Sequence, residues 1–145
     1  MATAAVGCGG EAPLSSDVDV LIDQMGVPHI YAATDEDAMV ASGYMMARMR
    51  LFQIEMVRRQ AWGTQSEVLG EGSFAADAAS RTLNFARYGR ESRTRMEREF
   101  PQYATLIRAF VRGINLYIDR AARGAEPLPA EFGVDALSYT PQRFS

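Results

Sequence analysis

The chain holds few residues able to do chemistry unaided. His29 is its only histidine and Cys8 its only cysteine. A metal site built on a His/Cys cluster is therefore excluded, as is an internal disulfide. A Ser-His-Asp triad would have to use His29, which follows Pro28 in a strand-like stretch, and a structural histidine is the better reading. No G-x-S-x-G, P-loop or G-x-G-x-x-G motif occurs. Gly7-Cys8-Gly9-Gly10 is no phosphate loop, because no strand precedes it and no helix follows. Asp35, Glu36 and Asp37 cluster at a predicted helix start, where the helix dipole accounts for them better than calcium does. On this chemistry no position is assigned a catalytic, cofactor-binding or metal-ligating role.

The elements that would position any site begin after a leader, residues 1–16, which is rich in Ala, Gly and Ser and lacks periodicity. Val18, Val20 and Ile22 alternate with Asp19, Leu21 and Asp23, which predicts a strand. Val27–Ala32 predicts a second extended segment, at an edge or irregular because Pro28 has no N–H to donate. Thr34 with Asp37 resembles a capping box, with Asp37 in place of the usual Glu or Gln. A long helix should run from Asp35 to Ala61 and end at Gly63. On it Arg48, Glu55 and Arg59 form one narrow polar stripe, and Glu55 can pair with Arg59 at i,i+4. The rest is so apolar that most of the helix surface should be packed. Arg50, nearly opposite the stripe, should then be buried with a partner from elsewhere, since an unpaired buried charge is costly.

Glu67–Gly72 reads as a short helical turn and loop, and a second helix is predicted over Ala75–Glu99. A third begins at Pro101, repeats its apolar residues through Ala121 and ends at Gly124. The tail through Ser145 is irregular. With 145 residues, 48% hydrophobic and 23% charged, the chain fits one domain or part of a larger one. Its net charge of -3 and pI near 5.2 do not suggest a nucleic-acid binder. The arginines Arg87, Arg90, Arg93, Arg95 and Arg98 alternate with Glu91, Glu97 and Glu99 as on a solvated helix face. Eight methionines suggest an adaptable core. No stretch is long and apolar enough to span a bilayer. Ala5-Val6-Gly7-Cys8 faintly resembles the end of a bacterial lipoprotein signal, without its positive n-region and apolar h-region. Were that resemblance real, Cys8 would carry lipid.

Several motifs in collinear order add a resemblance. Asp23-Gln24-Met25-Gly26-Val27-Pro28-His29-Ile30-Tyr31-Ala32 resembles the D-x-x-G-V/M-P-H-I-x-A opening of the penicillin acylase family. Gly43-Tyr44, Ala47, Arg50-Leu51-Phe52-Gln53, Arg58-Arg59, Gly63 and Glu67-Val68-Leu69-Gly70 resemble its next block. Gly113-Ile114-Asn115-Leu116-Tyr117-Ile118-Asp119, Leu128-Pro129-Ala130-Glu131-Phe132 and Tyr139-Thr140-Pro141 resemble later ones. Two departures stand out. Met49 occupies a position where the family often has Asp, and Phe144 one where it usually has Trp.

The resemblance covers about residues 17–144 and implies an N-terminal-nucleophile hydrolase made as a zymogen. A precursor is cut by autocatalytic processing into an alpha and a beta chain. The beta chain begins with a serine whose hydroxyl attacks an amide carbonyl, with its own alpha-amine as base. Substrates in the family are acylated amines: beta-lactam antibiotics, N-acyl homoserine lactones, which makes some members quorum-quenching enzymes, and cyclic lipopeptides.

The expected fold class is α+β: a mostly helical N-terminal part of an αββα N-terminal-nucleophile hydrolase, with an N-terminal strand pair. Residues 17–145 would be a partial alpha-chain region, scaffold for a beta-chain partner and inactive by itself. Calcium and acyl-pocket residues would lie mainly outside it. Ser145, carrying no free alpha-amine, would not be the nucleophile. The family implies a periplasmic or extracellular location. The alternative is a truncated, non-catalytic homologue serving as a small binding module.

Overall fold

A computed structural model describes residues 2–3, 14–133 and 137–145. Its elements are β1 (Ala2–Thr3), β2 (Asp19–Ile22), β3 (Pro28–Tyr31), α1 (Asp35–Trp62), α2 (Ser66–Leu69), α3 (Phe74–Leu83), α4 (Phe85–Glu99) and α5 (Pro101–Ala122), with two short 3-10 turns. The strands form an antiparallel sheet in the order β1-β2-β3. The chain is thus mostly helical, as the expected fold class has it, and the expected strand pair, β2 with β3, gains a third short strand, β1, from within the expected leader. Residues 4–13, most of the expected leader and including Cys8, lie outside the described residues. Leu14, at the leader's end, is buried, and Ser15 and Ser16 bond to Asp37.

The chain divides into two compact units. The first comprises Met1–Met49, Gln102–Glu126 and Arg143–Ser145. In β2, Val20 is fully buried and Asp19 exposed, as the alternation requires. The β2–β3 turn is closed by Asp23, whose Oδ1 accepts the amides of Met25 and Val27, each at 2.9 Å. Asp37 pairs side chains with Thr34 and accepts from Ser15 and Ser16.

In this unit α1 and α5 cross at two glycines. A Cβ on Gly43 would stand 1.9 Å from the carbonyl oxygen of Phe110, and one on Gly113 would stand 2.0 Å from that of Val40. Backbone touches backbone at this crossing, which no side chain could permit. Tyr44 and Tyr117 pack edge to face nearby, with centroids 5.4 Å apart.

The second unit comprises Arg50–Pro101 and Pro127–Gln142. Its buried apolar residues among those described are few, chiefly Leu51 and Phe132, and they sit beside the buried polar residues Glu55, Arg59, Asp77 and Ser80. Phe52 meets Phe132 edge to face, with centroids 5.8 Å apart.

Two expectations are corrected here. The helix anticipated over Ala75–Glu99 is two helices, broken at Asn84, which takes φ 57° and ψ 42°. Periodicity continues across the break, and only the left-handed residue ends α3. Asparagine is one of the few residues that adopts this conformation cheaply. Asn84→Gly should therefore leave stability unchanged or slightly raised, whereas Asn84→Val should cost about 1–2 kcal/mol in denaturant unfolding.

The second correction concerns α1. Its ends agree with the sequence, the helix stopping at Trp62 before Gly63 at φ 65°. The second half of the helix faces the reverse of the expected way. Glu55 and Arg59 point inward, at 0% and 7% exposure, while Arg50 and Arg48, the third member of the polar stripe, are exposed. Arg50 also interrupts the helix at φ −143°, ψ 22°. Glu55 and Arg59 satisfy each other, so their stripe can be buried, and the opposite face then carries Arg50 outward. Met46, Met49, Val57 and Trp62 remain exposed on α1. Of the methionines, Met45 enters the core and Met25 is exposed.

Candidate functional site

Among the described residues, buried polar groups, which are the natural places to look for a site, gather around Glu55, Asp77 and Asp37. In the second unit, Glu55 is the hub. Arg58 donates to both its oxygens at 2.8 Å, Arg59 donates from Nε to Oε1 at 2.9 Å, and the Tyr139 hydroxyl donates to Oε1 at 2.9 Å. The Arg59 guanidinium continues to the Thr64 carbonyl and to Glu67, and lies 4.5 Å from the centre of the Tyr139 ring. Every strong polar group here has a partner, so the cluster holds structure and leaves no free acid or base.

Asp77 forms the second cluster. From α3 its Oδ1 accepts the Gln65 amide at 2.9 Å and its Oδ2 accepts the Ser66 amide at 2.7 Å and the Ser66 hydroxyl at 2.6 Å. Those amides are the orphan donors at the start of α2, so Asp77 caps that helix from a distance in sequence. Burial pushes its carboxyl up, but the bonds from Ser66 and Gln65 hold it below the usual carboxylate range.

The third cluster, in the first unit, centres on Asp37. Ser15 gives it both an amide bond at 2.7 Å and a hydroxyl bond at 2.5 Å, and Thr34 adds a hydroxyl bond at 2.8 Å. The Thr34 oxygen in turn accepts the Asp37 amide at 3.1 Å, which is the capping relation expected from sequence. Bonds from Ser15 lower the Asp37 carboxyl to about 2 against burial.

A folded-state value below the unfolded 3.8 means that the unfolded chain takes up the proton first. Asp37 therefore contributes fully above about pH 4, and its contribution is lost as pH falls toward about 2. Asp37→Asn should cost about 1–2 kcal/mol at pH 7. Its unfolding midpoint should also vary less with pH across that acid window than the parent's does.

His29 is exposed, with its Nε2 3.0 Å from Oδ2 of Asp23. His29 bonding holds the Asp23 carboxyl below its ordinary range. Asp35 and Glu36 are exposed at the helix start, and Glu36 pairs with Arg112. Ser145 is exposed. Among the described residues, no three His, Cys, Asp or Glu side chains gather to hold a metal ion, and Asp37, Glu55 and Asp77 give their oxygens to this chain's own donors. A calcium ion of the kind the resemblance implies finds no ready ligand set in them.

Sequence reasoning missed Asp77 and Tyr139 as cluster members. Asp77 looked like one more helix residue, and Tyr139 lies 84 positions from Glu55. It also missed the tail clasp in the first unit. There the Asn115 side chain donates to the Phe144 carbonyl at 2.8 Å and accepts the Phe144 amide at 2.7 Å, while Arg143 pairs with Asp119. The G-x-N-x-x-I-D block contains both Asn115 and Asp119, but nothing in its local pattern names their partners.

A penicillin amidase family model matches residues 17–145. Penicillin acylase 2 proenzyme of Pseudomonas sp. (strain SE83) is 38% identical over 121 residues, covering 83% of this chain and 15% of the relative. Penicillin G acylase of Escherichia coli is 32% identical over 131 residues, covering 90% of this chain and again 15% of the relative. An acyl-homoserine lactone acylase of Pseudomonas syringae pv. tomato is 32% identical over 133 residues.

Among solved structures, a thermostable penicillin G acylase from Alcaligenes faecalis superposes with a TM-score of 0.74 at 29% identity. That match covers 88% of this chain and 65% of the other. The chain thus spans about 15% of the length of the curated relatives it matches. With the family model spanning nearly the whole chain, this protein belongs to the penicillin amidase family.

Proposed function

We propose that this chain is the opening scaffold segment of an amide hydrolase that cleaves acylated amines such as beta-lactams or N-acyl homoserine lactones. Its catalytic serine would stand at the start of a beta chain outside this sequence. The observation that carries the reading is that the buried acids and bases are consumed by structural bonds in a chain whose relatives are acylases. Such a segment contributes rigidity, and the chemistry falls to residues elsewhere.

Processing fits the proportions. The same stretch is 15% of a relative named as a proenzyme and 65% of a solved acylase chain. The nucleophile's alpha-amine and hydroxyl would supply base and attack, and the role of this chain is to hold its own two units in shape. A periplasmic or extracellular location belongs to the same proposal, with Cys8 as the candidate lipid anchor.

The test is hydrolysis of chromogenic acyl-amides by the chain produced alone and together with a serine-first chain from the same source. The chain alone should show no turnover above background, and the pair should hydrolyse. Turnover by the isolated chain would overturn the scaffold role. An inactive but assembled pair would overturn the hydrolase.

A further inference from the structure

Helix α4 is amphipathic, yet none of its residues is buried. Phe85, Tyr88, Ser92 and Met96 follow one another at three- and four-residue steps, so they lie on one face, and Phe100 continues the line just past the helix. Phe85, Tyr88 and Phe100 are 47%, 63% and 49% exposed.

Between the aromatic and methionine positions this face is shallow. Gly89 and Ser92 are small, and a Cβ added to Gly89 would meet nothing within 4 Å. That notch has the shape in which a second helix packs closely. Arg93 and Arg95 border the stripe, about 80° to either side at 100° per residue. The helix carries five arginines against three glutamates.

We propose that this face of α4 is a docking surface for an amphipathic helix of the same protein, supplied by polypeptide outside this segment. The incoming helix would set apolar side chains into the Gly89/Ser92 notch and against Phe85, Tyr88 and Met96. The inference rests on the reading of the chain as one part of an assembled acylase. It goes further by assigning one face as the contact and giving the chemistry of its occupant.

The length of the relatives favours this occupant, since the matched segment is 15% of each. A lipid surface is the poorer fit. Arg87–Glu91, Arg93–Glu97 and Arg95–Glu99 already pair along the helix, so most of its cations are neutralised. The stripe also offers only three or four large apolar groups.

The experiment places a single thiol on the stripe, Ser92→Cys in a Cys8→Ser background, and a control on the opposite face, Arg90→Cys. Alkylation rates are compared for the chain by itself, with the serine-first chain, and with anionic vesicles of phosphatidylglycerol and phosphatidylcholine. Amide hydrogen exchange of α4 in the unsubstituted protein gives the same comparison without any substitution. The expected result is a fall of about ten-fold or more in Ser92→Cys labelling on assembly, with the Arg90→Cys rate unchanged and parallel protection of α4 amides.

An active assembled pair in which the stripe labels as fast as in the free chain would overturn the docking face and leave the hydrolase reading standing. Protection by vesicles only, or protection that grows with the concentration of the chain by itself, would overturn it in favour of a lipid surface or a second copy. Failure of any second chain to assemble would overturn the functional reading and the docking face with it.

Discussion

Gly113→Ala should lower the stability of the chain by about 3 kcal/mol or more, and Gly43→Ala by a similar amount. An alanine in place of glycine inside a helix ordinarily gains up to about 1 kcal/mol from backbone entropy. Here the added methyl would stand 2.0 Å from the Val40 carbonyl oxygen, or 1.9 Å from that of Phe110. Those neighbours are backbone atoms of the facing helix and cannot swing aside as a side-chain tip can. Relief requires α1 and α5 to separate, which would open the packing around Tyr44, Tyr117 and Ile114. The steric term therefore outweighs the propensity term.

Gly89→Ala supplies the internal control. Gly89 lies mid-helix with open space around it, so this substitution should stabilise the isolated chain by up to about 1 kcal/mol. Chemical-denaturation midpoints for the three variants measure the contrast directly. Equal effects at Gly113 and Gly89 would show that the helices do not cross at backbone contact.

Glu55→Ala should cost about 3–5 kcal/mol, among the largest single-site effects in the second unit. The energy comes less from the strength of the pairs than from what is stranded by their loss. Arg59 has a side chain 9% exposed, and without Glu55 its remaining carboxylate partner is Glu67, which is itself 61% exposed. The Tyr139 hydroxyl would lose its acceptor in the same substitution.

Glu55→Gln keeps an acceptor oxygen and should cost less than Glu55→Ala. The double variant Glu55→Met with Arg59→Leu removes both charges together and should be less damaging than either charge removal singly, because no buried ion is left unpaired. Denaturant unfolding of the four proteins closes the cycle. Additive losses in the double variant would mean that Glu55 and Arg59 do not depend on one another.

These two sites also show where sequence reasoning succeeds and where it stops. The i,i+4 spacing of Glu55 and Arg59 announces their pairing, and the pair forms at 2.9 Å. Spacing does not reveal which way a stripe faces. Charged residues among apolar ones suggest a solvated edge, and the inward orientation depends on Tyr139 and Thr64 arriving from later in the chain. Arg50, expected inside, is outside for the same reason. The failure at Asn84 is of another kind: a helical period can continue unbroken through a residue whose backbone has turned left-handed.

By itself, then, the sequence determined what is local or periodic. The two strands, the Thr34–Asp37 cap, the stops at Gly63 and Gly124, and the exposed Arg/Glu face of α4 all follow from neighbours within a few residues. The ordered motifs determined the family, because collinear spacing over most of the chain carries information that no single motif holds.

Only tertiary structure decided which groups are buried and by whom they are satisfied. Asp77 reaches back to the start of α2, Asn115 clasps Phe144, and two glycines 70 positions apart meet at a helix crossing. Each of these contacts joins positions far apart in the chain, and a buried polar atom or a missing Cβ acquires its meaning only from the partner that arrives there.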